Sequence, residues 1–286
     1  MGQRKKHAYS LIMPDDSQSQ PPLLLKPHEP PAYEVVNLQG RAPLVLVCDH
    51  ASRRVPEALG DLGLPSDVFD QHVAYDIGAA ELTRQISARL DAPAVLAGYS
   101  RLVIDVNRQP GDPTAIPEVS DGIAIPGNQD LSEADMEARS LSCSRPYHNA
   151  ITETIAHVWR TNASRENAAP LLFSIHSFTP VFGGKADRPW QAAVLWNRDP
   201  RIAVPLIKRL EERADKVIGD NEPYSGKQLA YTIDRHGAAA GLANCAIEVR
   251  QDELSTEAGI RDWAERLSDA LGWIMADARL HRVEHF

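Results

Sequence analysis

From Pro43 onward, short apolar runs alternate with longer segments whose apolar residues recur every three or four positions, and few architectures satisfy both patterns. The runs at 44–48, 93–97, 101–106, 171–176, 191–196, 216–219 and 243–249 read as strands. They are apolar on nearly every residue, as strands covered on both faces must be. Between them, Val73, Ile77, Ala80, Thr83, Ile86 and Leu90 make one stripe, which predicts a helix over 70–90 packed beside the first strand. A second helix is expected to start at Ser132 with Asp135 as its capping partner. It must bend or break near Pro146 before continuing through Ile151, Ile155 and Val158. A third begins at Asp199-Pro200 and buries Ile202, Leu206 and Leu210. The last runs through Ile260, Trp263, Leu267, Leu271, Ile274 and Ala278. The expected fold class is α/β, with a mainly parallel sheet and helices on both faces.

Residues 1–40 differ in kind. Pro14, Pro21, Pro22, Pro27, Pro30 and Pro31 break any helix, and Ser and Gln fill the gaps, so an extended, partly disordered arm is expected there. No linker follows, and residues 41–286 read as a single domain. A formal charge of -9 argues against a general nucleic-acid surface, which needs clustered cations. No apolar run approaches the roughly 20 residues of a membrane span. Arg4, Lys5 and Lys6 are followed by no apolar segment, so no secretory signal is expected. Cys48, Cys143 and Cys245 are odd in number and widely spaced, and two lie in apolar strands. Buried reduced thiols in a cytoplasmic protein fit that usage better than disulfides, and better than a Cys-His hydrolase.

The candidate chemistry collects at strand ends. His50 follows the first run, and His176 ends the run at 171–176. Neutral imidazoles presented from neighbouring strand ends are good Zn2+ ligands, and a catalytic zinc takes a third protein ligand while leaving one position open. Arg53 stands where a His-x-x-Glu pair would place its carboxylate, so that ligand must come from elsewhere. Asp76 is the preferred candidate, with His72 one helical turn before it; Asp49 and Asp105 are the reserves. Glu248 lies within an apolar strand, where an idle carboxylate is costly. It reads as the general base, the alternative being a structural ion pair with Arg250 on the same strand face. Arg101, Arg108 and Arg250 sit at strand ends or following turns, where a guanidinium can hold a carboxylate or an oxyanion.

Six ordered motifs add a resemblance. They are His72-Val73-Ala74-Tyr75-Asp76-Ile77-Gly78, Tyr99-Ser100-Arg101 through Asn107-Arg108, Ser174-Ile175-His176-Ser177, Asp220 through Lys227, Tyr231-Thr232-Ile233-Asp234-Arg235-His236, and Ile247-Glu248-Val249-Arg250. Together they resemble the N-formylglutamate amidohydrolase family over roughly residues 43–275. The resemblance implies a three-layer α/β/α sandwich of phosphorylase/hydrolase-like type with a mixed, mainly parallel sheet. It also implies a zinc-dependent amidohydrolase that splits an N-acyl amino acid, such as N-formyl-L-glutamate, into formate or another small acid and the amino acid. His50 and His176 are then metal ligands, Glu248 the base, and Arg101 a neighbour of the reacting carbonyl. Asn107, Arg108 and Arg250 are left to hold substrate carboxylates. The first motif departs from the family's Pro-His-Ser-Gly, reading Asp49-His50-Ala51-Ser52 here, which bears on substrate choice more than on the metal.

Two rival readings use the same residues. One is a zinc carboxypeptidase or other acylamino-acid hydrolase acting on a larger amide. The other is a non-catalytic metal- or amino-acid-binding protein, motivated by Arg53. The turn-rich stretch from Pro110 to Asn128 is expected to lie over the site.

Overall fold

In the computed structural model, residues 23–163, 168–184, 188–228 and 230–286 are described. The strands are Tyr33–Val36 (β1), Leu44–Cys48 (β2), Ala94–Ala97 (β3), Val119–Ser120 (β4), Ile123–Ala124 (β5), Leu171–Phe178 (β6), Ala192–Leu195 (β7), Ile218–Asp220 (β8) and Asn244–Arg250 (β9). Seven of them form one sheet in the order β1-β3-β2-β6-β9-β7-β8, and β4 and β5 pair as a separate hairpin. The central pairings, β3 with β2, β2 with β6 and β6 with β9, are parallel. β1 runs antiparallel to β3, and β7 antiparallel to β9. The sheet is thus mixed and mainly parallel, as expected.

The helices are Ala79–Leu90 (α1), Glu133–Arg139 (α2), Arg145–Thr161 (α3), Pro200–Glu211 (α4), Tyr231–His236 (α5) and Glu257–Met275 (α6). Strand side chains alternate between the two faces. Leu44, Leu46, Phe173, Ile175, Cys245 and Ile247 face Leu82 and Ile86 of α1, Leu206 of α4 and Trp263 and Leu267 of α6. Val45, Val47, Leu172 and Ala246 face Tyr147, Ile151 and Ile155 of α3 and Ile233 of α5. These are the three layers, and the odd and even positions of each strand decide which layer a functional side chain enters.

Local signals explain the element ends. The Ser132 hydroxyl accepts from the Asp135 amide while the Asp135 carboxylate accepts from the Ser132 amide, the reciprocal cap that the sequence suggested. Pro146 falls in the first turn of α3, and a π-helical stretch, Ser140–Ser144, joins α2 to it. The wider turn accommodates a residue that lacks an N–H. Asp199 caps α4 by accepting from the Arg201 amide.

Three expectations change. The helix over 70–90 begins only at Ala79, because Gly78 adopts φ +80° and a Cβ there would meet the Leu254 Cβ at 2.5 Å. His72 and Asp76 therefore lie on a loop, and the Asp76 amide donates to the His50 carbonyl instead of to a helical partner. The run at 101–106 is not a strand. Its amides close local turns or bond to Ala115, and Leu102, Val103 and Ile104 bury against Leu62, Val68 and Val73, in a cluster separate from the sheet layers. Apolar content alone does not separate a buried loop from a buried strand. The arm over 1–40, expected to be extended and partly disordered, contributes β1 to the sheet; residues 1–22 of it lie outside the described residues.

Candidate active site

The carboxyl ends of the central parallel strands converge on one cavity, the usual place for ligands in such sheets. His50 follows β2 after one intervening residue, His176 lies in β6, and Glu248 in β9 is its register partner. Ser174 and His176 point to the α3/α5 layer because Phe173 and Ile175 occupy the other.

Around the two imidazoles the polar contacts are complete. His50 Nδ1 lies 3.2 Å and His176 Nδ1 2.8 Å from the same oxygen, Asp76 Oδ2. Their other nitrogens are taken: His50 Nε2 is 2.8 Å from Asp105 Oδ1, and His176 Nε2 is 2.9 Å from Asp49 Oδ2. Each ring thus has a buried carboxylate behind it, and the two Nδ1 atoms and Asp76 face one point. Ligand atoms of the three residues all lie within 4.8 Å of one another. The reserve candidates Asp49 and Asp105 are the backing partners, and Asp76 is the carboxylate at the centre.

Asp49 also accepts from Tyr147 Oη at 2.9 Å, Ser174 Oγ at 3.0 Å and Thr232 Oγ1 at 2.7 Å. Burial pushes its pKa up, but the hydrogen bond and charge of His176 and the donors around it prevail, and it falls to about 2. Burial likewise opposes the charged forms of His50 and His176, yet the surrounding carboxylates raise both. Protons on the two rings offset the surrounding carboxylates, and a bound metal ion would take their place.

Arg101 donates from Nη2 to Asp105 Oδ2 at 2.7 Å and has Nη1 3.5 Å from Asp76 Oδ1, which fixes its guanidinium at the cavity wall. Glu248 is pushed up to about 7, chiefly by burial and further by Asp76, against the pull of His176, His50 and Arg101. A carboxyl near neutrality both takes and returns a proton at ordinary pH.

The cavity, about 420 Å³, has room for a small molecule. His50, His176, Glu248, Arg101, Asn107 and Arg108 line it, with Asp76 and Asp105 at its base. Thr114 and Pro117 of the turn-rich loop, and Val119, Ser120 and Asp121 of its hairpin, form one wall, as the sequence suggested. His72 lines the same wall with Nε2 3.1 Å from Asp121 Oδ2, and Phe178, Phe182 and Tyr224 also line the cavity.

Arg250 is not brought to the cavity. Its Nε and Nη2 donate to Asp252 at 2.7 and 3.0 Å, and Nη1 donates to the Arg188 carbonyl at 2.8 Å. With its guanidinium committed there, it is a poor carboxylate receptor. Nor does it pair with Glu248, which disposes of the structural reading of that carboxylate. Arg53 pairs with Asp70, away from the imidazoles. Cys48, Cys143 and Cys245 are buried free thiols, and burial raises all three, so none is a nucleophile.

Sequence reasoning missed Tyr147, Ser174 and Thr232, the supports of Asp49. Only the position of Ser174, two residues before His176 on one strand face, was a usable signal. Tyr147 and Thr232 arrive from helices whose contacts the sequence does not state.

The profile of the N-formylglutamate amidohydrolase family matches residues 42–255. The crystal structure of a gene product from Agrobacterium tumefaciens is 34% identical over 90% of this chain and 99% of that one, with a TM-score of 0.83. The crystal structure of N-formylglutamate amidohydrolase from Ralstonia eutropha is 19% identical over 87% of this chain and 98% of that one, with a TM-score of 0.59, a likeness of fold. No curated protein matches. No helix among the described residues is long and apolar enough to cross a membrane.

Proposed function

This chain belongs to the N-formylglutamate amidohydrolase family, and from that premise we propose that it is a Zn2+-dependent hydrolase of N-formyl-L-glutamate or a related N-acyl amino acid. The products are formate, or another small acid, and the free amino acid. A cytoplasmic setting suits its three buried thiols.

One observation carries the metal assignment: both imidazoles have Nε2 backed by a carboxylate while their Nδ1 atoms face Asp76 Oδ2. Outer carboxylates of this kind fix the ring and its tautomer in histidine metal sites. Two nitrogens and one oxygen also match the donor set of a catalytic zinc. His50, Asp76 and His176 would hold the ion, which supplies Lewis acidity to polarise the scissile carbonyl and acidify the attacking water.

The remaining work falls to the protein. Glu248 takes the proton from water as the new C–O bond forms and delivers it to the amide nitrogen as the C–N bond breaks. Arg101, held by Asp105, donates to the developing oxyanion. Asn107 accepts the Thr232 amide on its Oδ1 at 2.9 Å, which turns its NH2 group to other partners. That donor pair and Arg108 hold a substrate carboxylate at the cavity wall.

The test is metal analysis together with a panel of formyl-, acetyl- and peptidyl-amino acids. Zinc-dependent turnover of the formyl compounds is the expected result. Preference for peptidyl substrates would favour a carboxypeptidase, and stoichiometric metal without turnover of any member would favour a binding protein.

A further inference from the structure

Beyond the Thr232 amide that orients Asn107, the motif from Tyr231 to His236 has no part in the chemistry above, yet it forms α5, which touches both halves of the site. Thr232 is fully buried, and each of its two polar donors is committed. Its amide donates to Asn107 Oδ1 at 2.9 Å, and its hydroxyl donates to Asp49 Oδ1 at 2.7 Å. Asp49 in turn receives His176 Nε2–H on its other oxygen. One residue therefore ties a side chain on the substrate wall to the carboxylate behind a metal-binding imidazole.

A second tie keeps the helix in place. His236, at the other end of α5, has Nε2 2.9 Å from His148 Nδ1, and His148 Nε2 is 2.9 Å from the Val106 carbonyl. A carbonyl only accepts, so His148 carries its proton on Nε2 and receives the His236 proton on Nδ1. Val106 immediately precedes Asn107, so the turn bearing Asn107 is held to α5 at two points.

We infer that Thr232 is a positioning residue that sets the orientation of Asp49, and through it of His176, in register with Asn107. Asp49 Oδ1 has two hydroxyl donors, from Tyr147 and Thr232, and these come from different helices, α3 and α5. Ser174 Oγ at 3.0 Å and His176 Nε2 at 2.9 Å hold the other oxygen, so the two donors on Oδ1 complete the set that fixes the carboxylate's rotation about its Cβ–Cγ bond. The hydroxyl of Thr232 supplies the shorter of those two bonds before any ion arrives, which is the preorganisation a tight metal site needs. The inference rests on the metal site proposed above.

The experiment titrates metal-free protein with Zn2+ against a chromophoric chelator, for the wild type and for Thr232→Ser, Thr232→Val and Thr232→Ala. Ser keeps the donor, Val removes it at nearly constant volume, and Ala removes it with less bulk. Loss of an outer carboxylate itself costs about 10–100-fold in metal affinity. Thr232 acts one bond further out, so about fivefold to tenfold weaker zinc binding is expected for Val and Ala, and wild-type affinity for Ser. Thermal melts accompany each titration. If Val does not melt cooperatively, Ala against Ser decides. Val and Ala with wild-type zinc affinity would overturn the inference, as would equal weakening in Ser, which would mark a packing role. A wild-type protein that binds no Zn2+ would instead overturn the metal site itself.

Discussion

His176 and Glu248 occupy paired positions on adjacent parallel strands, β6 and β9, so the imidazole and the carboxylate proposed as metal ligand and base share one face of the sheet. Rigid neighbouring strands set their separation more tightly than two loops would. Glu248→Gln keeps the side chain's size and removes its basicity. General acid–base catalysis supplies about 10²–10⁴-fold, and one group serving both proton transfers should lose at least that much turnover. Zinc content and melting temperature should stay near wild type. Near-wild-type single-turnover rates in a zinc-loaded, folded Glu248→Gln protein would remove Glu248 as the base.

Asp76 is the only carboxylate within 3.2 Å of both Nδ1 atoms among the described residues. Asp76→Ala should lose zinc binding by more than tenfold and lose activity with it, and treatment of wild-type protein with a chelator should have the same effect. Elemental analysis before and after dialysis checks this. Full activity in verifiably metal-free protein would end the zinc mechanism, whereas normal zinc affinity in Asp76→Ala would end only the third-ligand role.

Much of this site was legible because its parts sit where strands end. His50 follows an apolar run, His176 ends one and Glu248 lies near the end of another, and such runs predict a parallel sheet at whose carboxyl edge ligands collect. Arg250 looked equivalent to Glu248 by the same rule, since two residues along a strand share a face. Its pairing with Asp252 and with the Arg188 carbonyl depends on how the chain turns after β9, which no periodicity encodes. The helix over 70–90 failed at Gly78, where a close approach to Leu254 and a left-handed turn overrode an unbroken apolar stripe. The supports of Asp49 come from three segments far apart in the chain, α3, β6 and α5, and only the folded protein brings them together.

Asp105 holds three groups at once: His50 Nε2, Arg101 Nη2 and the Asn107 amide. An amide in its place has one acceptor oxygen where the carboxylate has two. Asp105→Asn should therefore weaken zinc by about 10–100-fold and also lower kcat at saturating zinc, because Arg101 loses its anchor. An affinity loss with kcat fully restored by excess zinc would show that Arg101 is positioned by Asp76 instead.

Tyr33–Val36 closes one edge of the sheet by pairing with β3, and Tyr99 Oη donates to the Pro30 carbonyl at 2.7 Å. Deleting residues 1–36 opens the edge of β3, and exposed strand edges template association. The truncated protein should melt at a lower temperature and aggregate in a concentration-dependent way, with catalysis per folded molecule retained because the cavity lies beyond β2. Light scattering and thermal melts decide, and a truncated protein that stays monodisperse with an unchanged melt would show that the edge strand is dispensable.

His148 and His236 should make stability fall with acid. Burial lowers both, His148 to about 4 with help from the Arg235 charge, and His236 to about 3 with help from His148 and Arg235. The unfolded chain takes up protons on these rings below about pH 6.5, where the folded protein does not. Their contribution is therefore complete above 6.5 and shrinks as pH falls toward 4, by about 1.4 kcal/mol per pH unit for each ring once below the unfolded value. His72, also lowered by burial, acts in the same direction. His50 and His176 are raised in the metal-free protein and Glu248 is held up to about 7, so these groups bind protons on folding and oppose the decline just below pH 6.5. Glu248 and the raised imidazoles behave alike in a His236 variant, so the decline is read between pH 6.5 and 5 as the difference in unfolding free energy between metal-free wild type and that variant. Replacing His236 with Gln should flatten it while lowering stability at pH 7, since Gln carries no titrating ring but does not restore the full chain of contacts from His148 to Thr152. A difference between the two proteins that does not change with pH would mean that the His236 ring is not held neutral.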